Sequence, residues 1–258
     1  MSSAHAGGFD AHLYVPGSSF LYRVPPECKV AATVLFVLAV VAAPREAFWA
    51  YGCFAAALVG LALVASVPLG LIGRRLAIEV PFVAFALLLP FVGRGERVEV
   101  AGLSLSVAGL WAAWNILVKA TLGVAATVLL AATTPVPEVL RGLERLRTPQ
   151  VVVAICGFMV RYGDVVVGEM RRMRIAQRSR GYDGRWIWQA RAVAASAGAL
   201  FVRSYERGER VYLAMLSRGY DGAMPPGRAP AATARQWSAA LAFPALAALV
   251  SASAWLQR

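Results

Sequence analysis

Residues 107–132 read VAGLWAAWNILVKATLGVAATVLLAA, a stretch of 26 residues in which Lys119 is the one charged side chain. A helix needs about 20 largely apolar residues to cross a bilayer, because its backbone must satisfy its own hydrogen bonds within the hydrocarbon. Four further apolar stretches, some of them shorter, lie at residues 30–43, 47–67, 76–92 and 237–256. The sequence therefore predicts an all-α, polytopic membrane protein with about five transmembrane helices and the lipid bilayer as its solvent.

The composition supports this prediction. Of the 258 residues, 59% are hydrophobic and 16% are charged, whereas soluble domains average about 25% charged residues. The excess of 26 basic over 14 acidic residues also suits a nucleic-acid-binding protein. The chain has no recognisable module for reading nucleic acid, however, and we exclude that class. The three cysteines form no CxxC pair, which indicates free thiols.

Positive charge is concentrated between the fourth and fifth apolar stretches. Residues 133–235 contain 17 Arg against 8 Asp and Glu, and an excess of Arg and Lys marks the cytoplasmic side of a membrane protein. We therefore expect a multi-pass protein of the inner (cytoplasmic) membrane. Its predicted regions are an N-terminal cytoplasmic segment at residues 1–29, transmembrane helices 1–4 at 30–132, a cytoplasmic region of long helices at 133–235, and a C-terminal transmembrane helix at 236–258.

An exact internal repeat lies within the basic region. The hexapeptide Ser-Arg-Gly-Tyr-Asp-Gly occupies residues 179–184 and again residues 217–222, at a spacing of 38 residues. Each copy follows a helical pattern, at about residues 149–180 and 186–218. We expect Arg in the last turn of each helix, Gly at the C-terminal cap in a left-handed conformation, and Asp-Gly in the turn that follows. Each helix would then present one fixed guanidinium at its tip.

Two interpretations of the repeat are open. The hexapeptide could be a helix stop used twice, with Arg favoured at the negative end of the helix dipole. Glycine alone would suffice for that purpose, and it does not explain why Ser, Arg, Tyr and Asp recur with it. The alternative is that two like helix tips contact two like surfaces of a partner, such as a homodimer or a pair of related subunits.

The repeated Ser-Arg-Gly, preceded each time by a long basic helix, resembles the paired coupling motifs of the transmembrane T component of energy-coupling factor (ECF) transporters. Residues 21–29, which read LYRVPPECK, and residues 44–46, which read PRE, resemble the cobalt branch of that family, CbiQ. The resemblance extends over about residues 13–256. Both motifs have Ser where Ala is commonest in the family.

This resemblance implies a non-catalytic subunit of an ABC-type importer. Two copies of a P-loop ATPase subunit would bind the helix tips and carry the ATP and Mg²⁺, and a membrane-embedded substrate-binding subunit would bind the cobalt ion. A T component for nickel or for vitamins remains an alternative. The implied ATPase-coupling residues are Ser179, Arg180, Gly181, Ser217, Arg218 and Gly219, and the supporting turns contain Tyr182, Asp183, Tyr220 and Asp221.

The residues themselves offer no catalytic or metal site. Neither of the two lysines follows the glycine-rich run of a P-loop, so the chain is not expected to hydrolyse ATP by that mechanism. The apolar stretches contain no cluster of His, Cys, Asp and Glu at ligand spacing, and His5 and His12 precede them. A polytopic membrane enzyme is the alternative from another class; its candidate acids would be Asp164, Glu169, Asp183 and Asp221.

Two charged residues lie within the apolar stretches and need an explanation. Lys119 lies in the middle of the fourth stretch, one turn after Asn115, and Glu79 lies near the start of the third. An ionisable group at such a depth is a candidate functional residue. The alternative, which we favour, is that Lys119 is hydrogen-bonded to a neighbouring helix or to a partner subunit. The sequence does not show whether Glu79 reaches Lys119.

Overall fold

The computed structural model describes residues 14–93, 96–100, 103–182, 190–222 and 231–257. Those residues form ten α-helices, one 3-10 turn and one two-stranded hairpin. In chain order the elements are α1 (Phe20–Arg23), α2 (Pro26–Ala42), α3 (Phe48–Val64), α4 (Leu69–Leu76), the 3-10 turn (Ala77–Glu79), α5 (Val80–Val92), β1 (Arg97–Val100), β2 (Leu103–Ser106), α6 (Val107–Thr133), α7 (Val136–Arg145), α8 (Gln150–Ser179), α9 (Ala190–Leu216) and α10 (Ala234–Leu256).

The chain divides into two units. The bundle unit lies within Leu13–Leu146 and Pro230–Arg258 and contains α1 to α7, the hairpin and α10. The helix-pair unit lies within Arg147–Ala229 and contains α8 and α9. The predicted cytoplasmic region at residues 133–235 therefore includes the helix-pair unit together with α7.

Helix α2 lies at the centre of the bundle unit, where it packs against α10, α6 and α7. Phe36 is fully buried, stacks on Phe243 of α10 at a centroid distance of 5.0 Å and meets the edge of Phe54 of α3 at 5.9 Å. On α10, the small residues Ala247, Ser251 and Ala254 are buried at helical spacing. Small residues at such positions let helix backbones approach closely, which is how helices associate within membranes.

Apolar side chains also cover the outside of the bundle unit, as expected for a surface that meets lipid. Four helical segments are long and apolar enough to cross a membrane, namely Gly70–Val92, Val107–Thr133, Gln150–Ser179 and Ala234–Leu256. Three of them coincide with predicted spans, and α3 is apolar but only 17 residues long. The prediction of an all-α, multi-pass membrane protein is confirmed.

The fourth such segment, Gln150–Ser179, was not among the predicted spans. Its apolar residues lie in the N-terminal part, and none of its most apolar window is buried within the protein. Four Arg residues follow in its C-terminal half. By length and composition this helix could cross a membrane. From its arginines we had predicted that it belongs to the cytoplasmic region.

Two elements lie between the predicted apolar stretches. Arg74 and Arg75, just before the third stretch, lie in α4, which runs through the 3-10 turn into α5. The connection after α5 contains an antiparallel hairpin in which Arg97 pairs with Ser106 and Val100 with Leu103.

Side chains from three other helices donate hydrogen bonds to carbonyls at the end of α2 or just beyond it. Lys119 of α6 donates a hydrogen bond from Nζ to the carbonyl of Val41 at 2.7 Å, and Trp255 of α10 donates from Nε1 to Ala42 at 2.9 Å. Tyr51 of α3 donates to Pro44 at 3.2 Å. The last carbonyls of a helix have no partner within it, so these contacts supply one. The expected hydrogen bond of Lys119 to a neighbouring helix is confirmed.

Glu79 does not pair with Lys119 among the contacts described. Its side chain is buried, and Oε2 accepts a hydrogen bond from the hydroxyl of Thr121 on α6 at 2.9 Å. The two intramembrane charges therefore make separate contacts with neighbouring helices.

The closest helix approach in this part of the bundle unit occurs where α6 begins. A Cβ atom at Gly109 would overlap the carbonyl oxygen of Leu89 and lie 2.8 Å from Cα of Pro90, both on α5. Neither backbone atom can rotate away, so only glycine fits between the two helices at this point.

We predict that Gly109→Ala destabilises the protein by about 1–3 kcal/mol, because the added methyl group forces α5 and α6 apart. Gly60→Ala is the matched control, since a Cβ atom at that helical position meets nothing within 4 Å. Thermal unfolding in detergent should show a lower Tm for Gly109→Ala and an unchanged or higher Tm for Gly60→Ala. Equal Tm values for the two variants would contradict the close approach.

Candidate functional site: two capped helix ends

The first motif ends α8 in a left-handed glycine cap. Gly181 has φ of +82°, its N–H donates to the carbonyl of Arg178 at 3.0 Å, and the N–H of Tyr182 donates to Gln177 at 3.0 Å. This pair of hydrogen bonds defines a Schellman motif, in which residues just beyond the helix satisfy its last carbonyls. The cap predicted from the sequence is confirmed for this copy.

The second motif ends α9 in the same way. Gly219 has φ of +83°, its N–H donates to Leu216 at 3.0 Å, and the N–H of Tyr220 donates to Met215 at 3.0 Å. The hydrogen bonds start from equivalent positions and span the same number of residues as in the first copy. The repeat therefore builds one backbone geometry twice.

The serine of each motif also makes the same contact. Ser179 donates from Oγ to the carbonyl of Ala176 at 3.0 Å, and Ser217 donates from Oγ to Ala214 at 3.0 Å. A hydroxyl that bonds back to its own helix presents little new chemistry to a partner. Each serine side chain is small and already hydrogen-bonded to its own helix, so it leaves space beside the arginine that follows.

Both motif arginines are exposed. Arg180 and Arg218 each directly precede a cap glycine, and neither forms an ion pair with a described residue. A guanidinium in this position keeps its five N–H donors available for a carboxylate surface. Each helix end therefore presents one positive charge on a backbone fixed by its cap.

The tyrosines of the two motifs differ in their surroundings. Tyr182 is 47% exposed. Tyr220 is half-buried, donates from its hydroxyl to the carbonyl of Gly222 at 3.1 Å, and lines a cavity of about 460 Å³ together with Phe158 and Tyr162 of α8. Of the two predicted turn acids, Asp221 is exposed, whereas Asp183 lies outside the described residues.

Side-chain contacts show that α8 and α9 lie antiparallel. Near the end of α8, Gln177 donates from Nε2 to Ser196 Oγ, early in α9, at 2.6 Å. Further back on α8, Glu169 forms an ion pair with Arg207, further forward on α9. The cavity beside Tyr220 continues this order towards the start of α8.

The antiparallel order separates the two motif arginines. The first motif ends α8 close to Ser196, and Leu216 at the end of α9 lies 20 positions further along the same helix. At ~1.5 Å per residue this distance is about 30 Å along α9. The two equivalent tips thus lie towards opposite ends of one helix pair.

The bundle unit contains an ionic cluster that we did not predict. Glu27, in the first turn of α2, is 2% exposed, and its Oε1 accepts hydrogen bonds from Arg145 Nη1 at 2.7 Å and from the backbone N–H of Ala232 at 3.0 Å. Nearby, Lys29 donates to the carbonyl of Thr133 at 3.1 Å and to the hydroxyl of Thr134 at 3.2 Å. The sequence signal that could have predicted this cluster is the presence of Glu27 and Lys29, two residues apart, at the start of an apolar helix.

The described residues offer no candidate group of metal ligands. They contain no group of three or more His, Cys, Asp and Glu side chains that could hold a metal ion. Of the acids considered for an enzyme, Glu169 is bound to Arg207, and Asp164 is exposed on α8.

We predict that Gly181→Val loosens the first helix end, because a β-branched residue in the left-handed region costs about 1–2 kcal/mol. The amide of Tyr182, which bonds to Gln177, should then exchange with solvent faster. Gly181→Asn should exchange more slowly than Gly181→Val, since Asn tolerates this conformation. Gly198→Ala is the control, because nothing lies within 4 Å of a Cβ atom there. Unchanged exchange of Tyr182 in Gly181→Val would contradict the role of the cap.

Comparison with known proteins places these features in a family. The family model CbiQ, described as a cobalt transport protein, matches residues 17–228. The ECF transporter transmembrane protein EcfT of Listeria innocua is 26% identical over 223 residues, which cover 81% of this chain and 83% of that protein. EcfT of Lactobacillus helveticus is 29% identical over 224 residues, covering 81% and 80%.

A third relative is described as a fused protein. The putative fused cobalt transport protein CbiMQ of Methanocorpusculum labreanum is 29% identical over 170 residues, which are 63% of this chain but only 28% of that protein. The family match covers well over half of the present chain. The chain therefore belongs to the CbiQ cobalt transport protein family and is a multi-pass membrane component of the ECF transporter type.

Proposed function

We propose that this chain is the coupling subunit of an ECF-type importer and transmits the motion of two ATPase subunits to a membrane-embedded substrate-binding subunit. The observation that carries the proposal is the pair of identical, glycine-capped helix ends, each with an exposed arginine. A helix stop alone would not require the same serine contact and the same arginine at both ends. Docking on two like surfaces of a pair of ATPase subunits would require the same residues at both helix ends.

Ser179, Arg180 and Gly181 would dock on one ATPase copy, and the equivalent residues 217–219 on the other. Each guanidinium would enter a groove lined with carboxylates, where planar, multiple hydrogen bonds favour Arg over Lys. Removing one partner of such a buried charged pair typically costs about 2–5 kcal/mol. The glycine and the small serine would allow the groove to approach the helix backbone.

The antiparallel helix pair suits the transmission of movement. Its tips lie towards opposite ends, so a change in the distance between two ATPase subunits would act on two separated points of the helix-pair unit. The contacts of Gln177 with Ser196 and of Glu169 with Arg207 hold the two helices to each other. Force applied at one tip would therefore reach both helices.

We propose cobalt ion as the transported substrate, because the matching family and the fused relative are both named for cobalt transport. The ion would be bound by the substrate-binding subunit, and ATP with Mg²⁺ by the ATPase subunits, so this chain would be non-catalytic. Uptake assays with cobalt, nickel and vitamins on the assembled transporter distinguish the alternatives.

We predict that the double variant Arg180→Glu/Arg218→Glu inserts into the membrane but loses its ATPase subunits. Each reversed charge would repel the carboxylates proposed for the docking grooves, and association should weaken by more than tenfold at about 2–5 kcal/mol per site. The measurement is co-purification of the ATPases with the tagged chain after co-expression with its neighbouring genes.

The double variant Arg172→Glu/Arg210→Glu is the matched control. These two arginines are exposed, lie on the same two helices, and are themselves related by the 38-residue repeat. The control makes the same change in net charge two turns before each motif and should retain the ATPases. Retention by the motif variant, or equal loss in both variants, would refute specific docking by the helix tips.

A further inference from the structure

One buried carboxylate of the bundle unit contacts residues that border the helix-pair unit in sequence on both sides. The sequence of the helix-pair unit begins at Arg147, two residues after Arg145, and that of the bundle unit resumes two residues before Ala232. Glu27 accepts hydrogen bonds from both Arg145 and Ala232 through the same oxygen, Oε1. The two bordering residues of the bundle unit are thus hydrogen-bonded to the first turn of α2. We call the contact among Glu27, Arg145 and Ala232 the clasp.

The clasp is tight and shielded from solvent. The Glu27 side chain is 3% exposed, and its distance to Arg145 is 2.7 Å. A Cβ atom at Gly142 of α7 would lie 3.0 Å from the backbone N of Glu27, so α7 contacts the first turn of α2 backbone to backbone. A charge-assisted hydrogen bond in such a site is stronger and more directional than one at the surface.

The chain next to the clasp is conformationally constrained. Arg147, the residue at which the helix-pair unit begins, has φ of 63°, a left-handed conformation that is unfavourable for a side chain other than glycine. Oε2 of Glu27 is buried and accepts no hydrogen bond from a described residue. An arrangement selected for stability alone would satisfy that oxygen and relax that backbone, and such costs concentrate at functional sites.

Helix α2 is well placed to distribute a force that arrives at its first turn. It packs against α10, α6 and α7, and its opposite end holds side chains from α3, α6 and α10. Lys29 adds a link to the junction between α6 and α7. Movement of the first turn of α2 would therefore be transmitted to most helices of the bundle unit.

We infer that Glu27 is a positioning residue that, through Arg145 and Ala232, passes displacement of the helix-pair unit to α2. This inference rests on the proposed coupling function and deepens it. The helix tips determine whether the ATPases bind, and the clasp determines whether their motion reaches the membrane-embedded helices. Loss of the clasp should therefore uncouple ATP hydrolysis from uptake while the ATPases stay bound.

The test uses the complete transporter, with both ATPase subunits and the substrate-binding subunit, reconstituted in liposomes. Glu27→Gln keeps the size of the side chain and an acceptor oxygen but removes the charge that holds Arg145. ATPase association and ATP hydrolysis should remain within about twofold of wild type, whereas cobalt uptake per ATP should fall about tenfold or more, a typical coupling strength. Arg145→Met should have the same effect, and Arg145→Lys, which keeps the charge, should restore part of the uptake.

Glu138→Gln is the matched control. Glu138 also lies on α7, but its side chain is 41% exposed and it pairs with Arg141 on the same helix at 3.6 Å. This variant removes one negative charge from the helix that carries Arg145 and leaves Glu27, Arg145 and Ala232 unchanged, so its uptake per ATP should equal that of wild type.

A second readout needs no partner. In the isolated chain, Glu27→Ala removes the acceptor for the Ala232 amide, so that amide should exchange with solvent faster than in wild type. Glu138→Gln should leave its exchange unchanged. Unaltered Ala232 exchange in Glu27→Ala would show that the hydrogen bond does not hold Ala232, and the inference would fall.

The remaining outcomes separate this inference from the proposed function. Wild-type uptake per ATP in both Glu27→Gln and Arg145→Met would overturn the positioning role and leave the proposed function intact. Loss of ATPase binding in Glu27→Gln would also overturn it, because the clasp would then serve assembly. A wild-type chain that binds no ATPase would refute the proposed function itself and the inference with it.

Discussion

Hydrocarbon offers no hydrogen bonds, so a polar group within it is stabilised by a partner inside the protein. The end of α2 illustrates how such partners are supplied, because the last carbonyls of a helix have none within it. Side chains of α3, α6 and α10 converge there, and one of them is the charged amine of Lys119. The same requirement brings Glu79 to the hydroxyl of Thr121. Polar contacts, rather than apolar burial, therefore specify which helices meet at these points.

The same constraint explains how much of the fold could be predicted from the sequence. Length and hydropathy predicted the apolar helices, since only a helix satisfies a lone spanning backbone. They could not predict which face of each helix lies inside, because exposed Leu38 and buried Phe36 are both strongly apolar. The hairpin was missed although its signal is present: Val98 and Val100, then Leu103 and Leu105, alternate with polar residues around Ala101-Gly102. Strands of four residues within a membrane protein are easily taken for a loop.

Some parts of the candidate site could likewise be predicted from the sequence, and others could not. The two caps were predictable because a helix end with glycine is a local structure, encoded within about six residues. The partners of Glu27 lie 118 and 205 positions away, and no local pattern encodes a contact at that separation. The different surroundings of Tyr182 and Tyr220 were equally out of reach, because they depend on which part of the neighbouring helix each tyrosine meets.

That difference between the tyrosines narrows what two like partner surfaces can recognise. The Ser-Arg-Gly backbone and its serine contact are the same in both copies, whereas Tyr220 lines a cavity between α8 and α9 and Tyr182 is exposed. Among the residues described in both copies, a surface that binds both tips equally would therefore rely on residues 179–181 and 217–219. Tyr220 is better explained as part of the contact between α8 and α9.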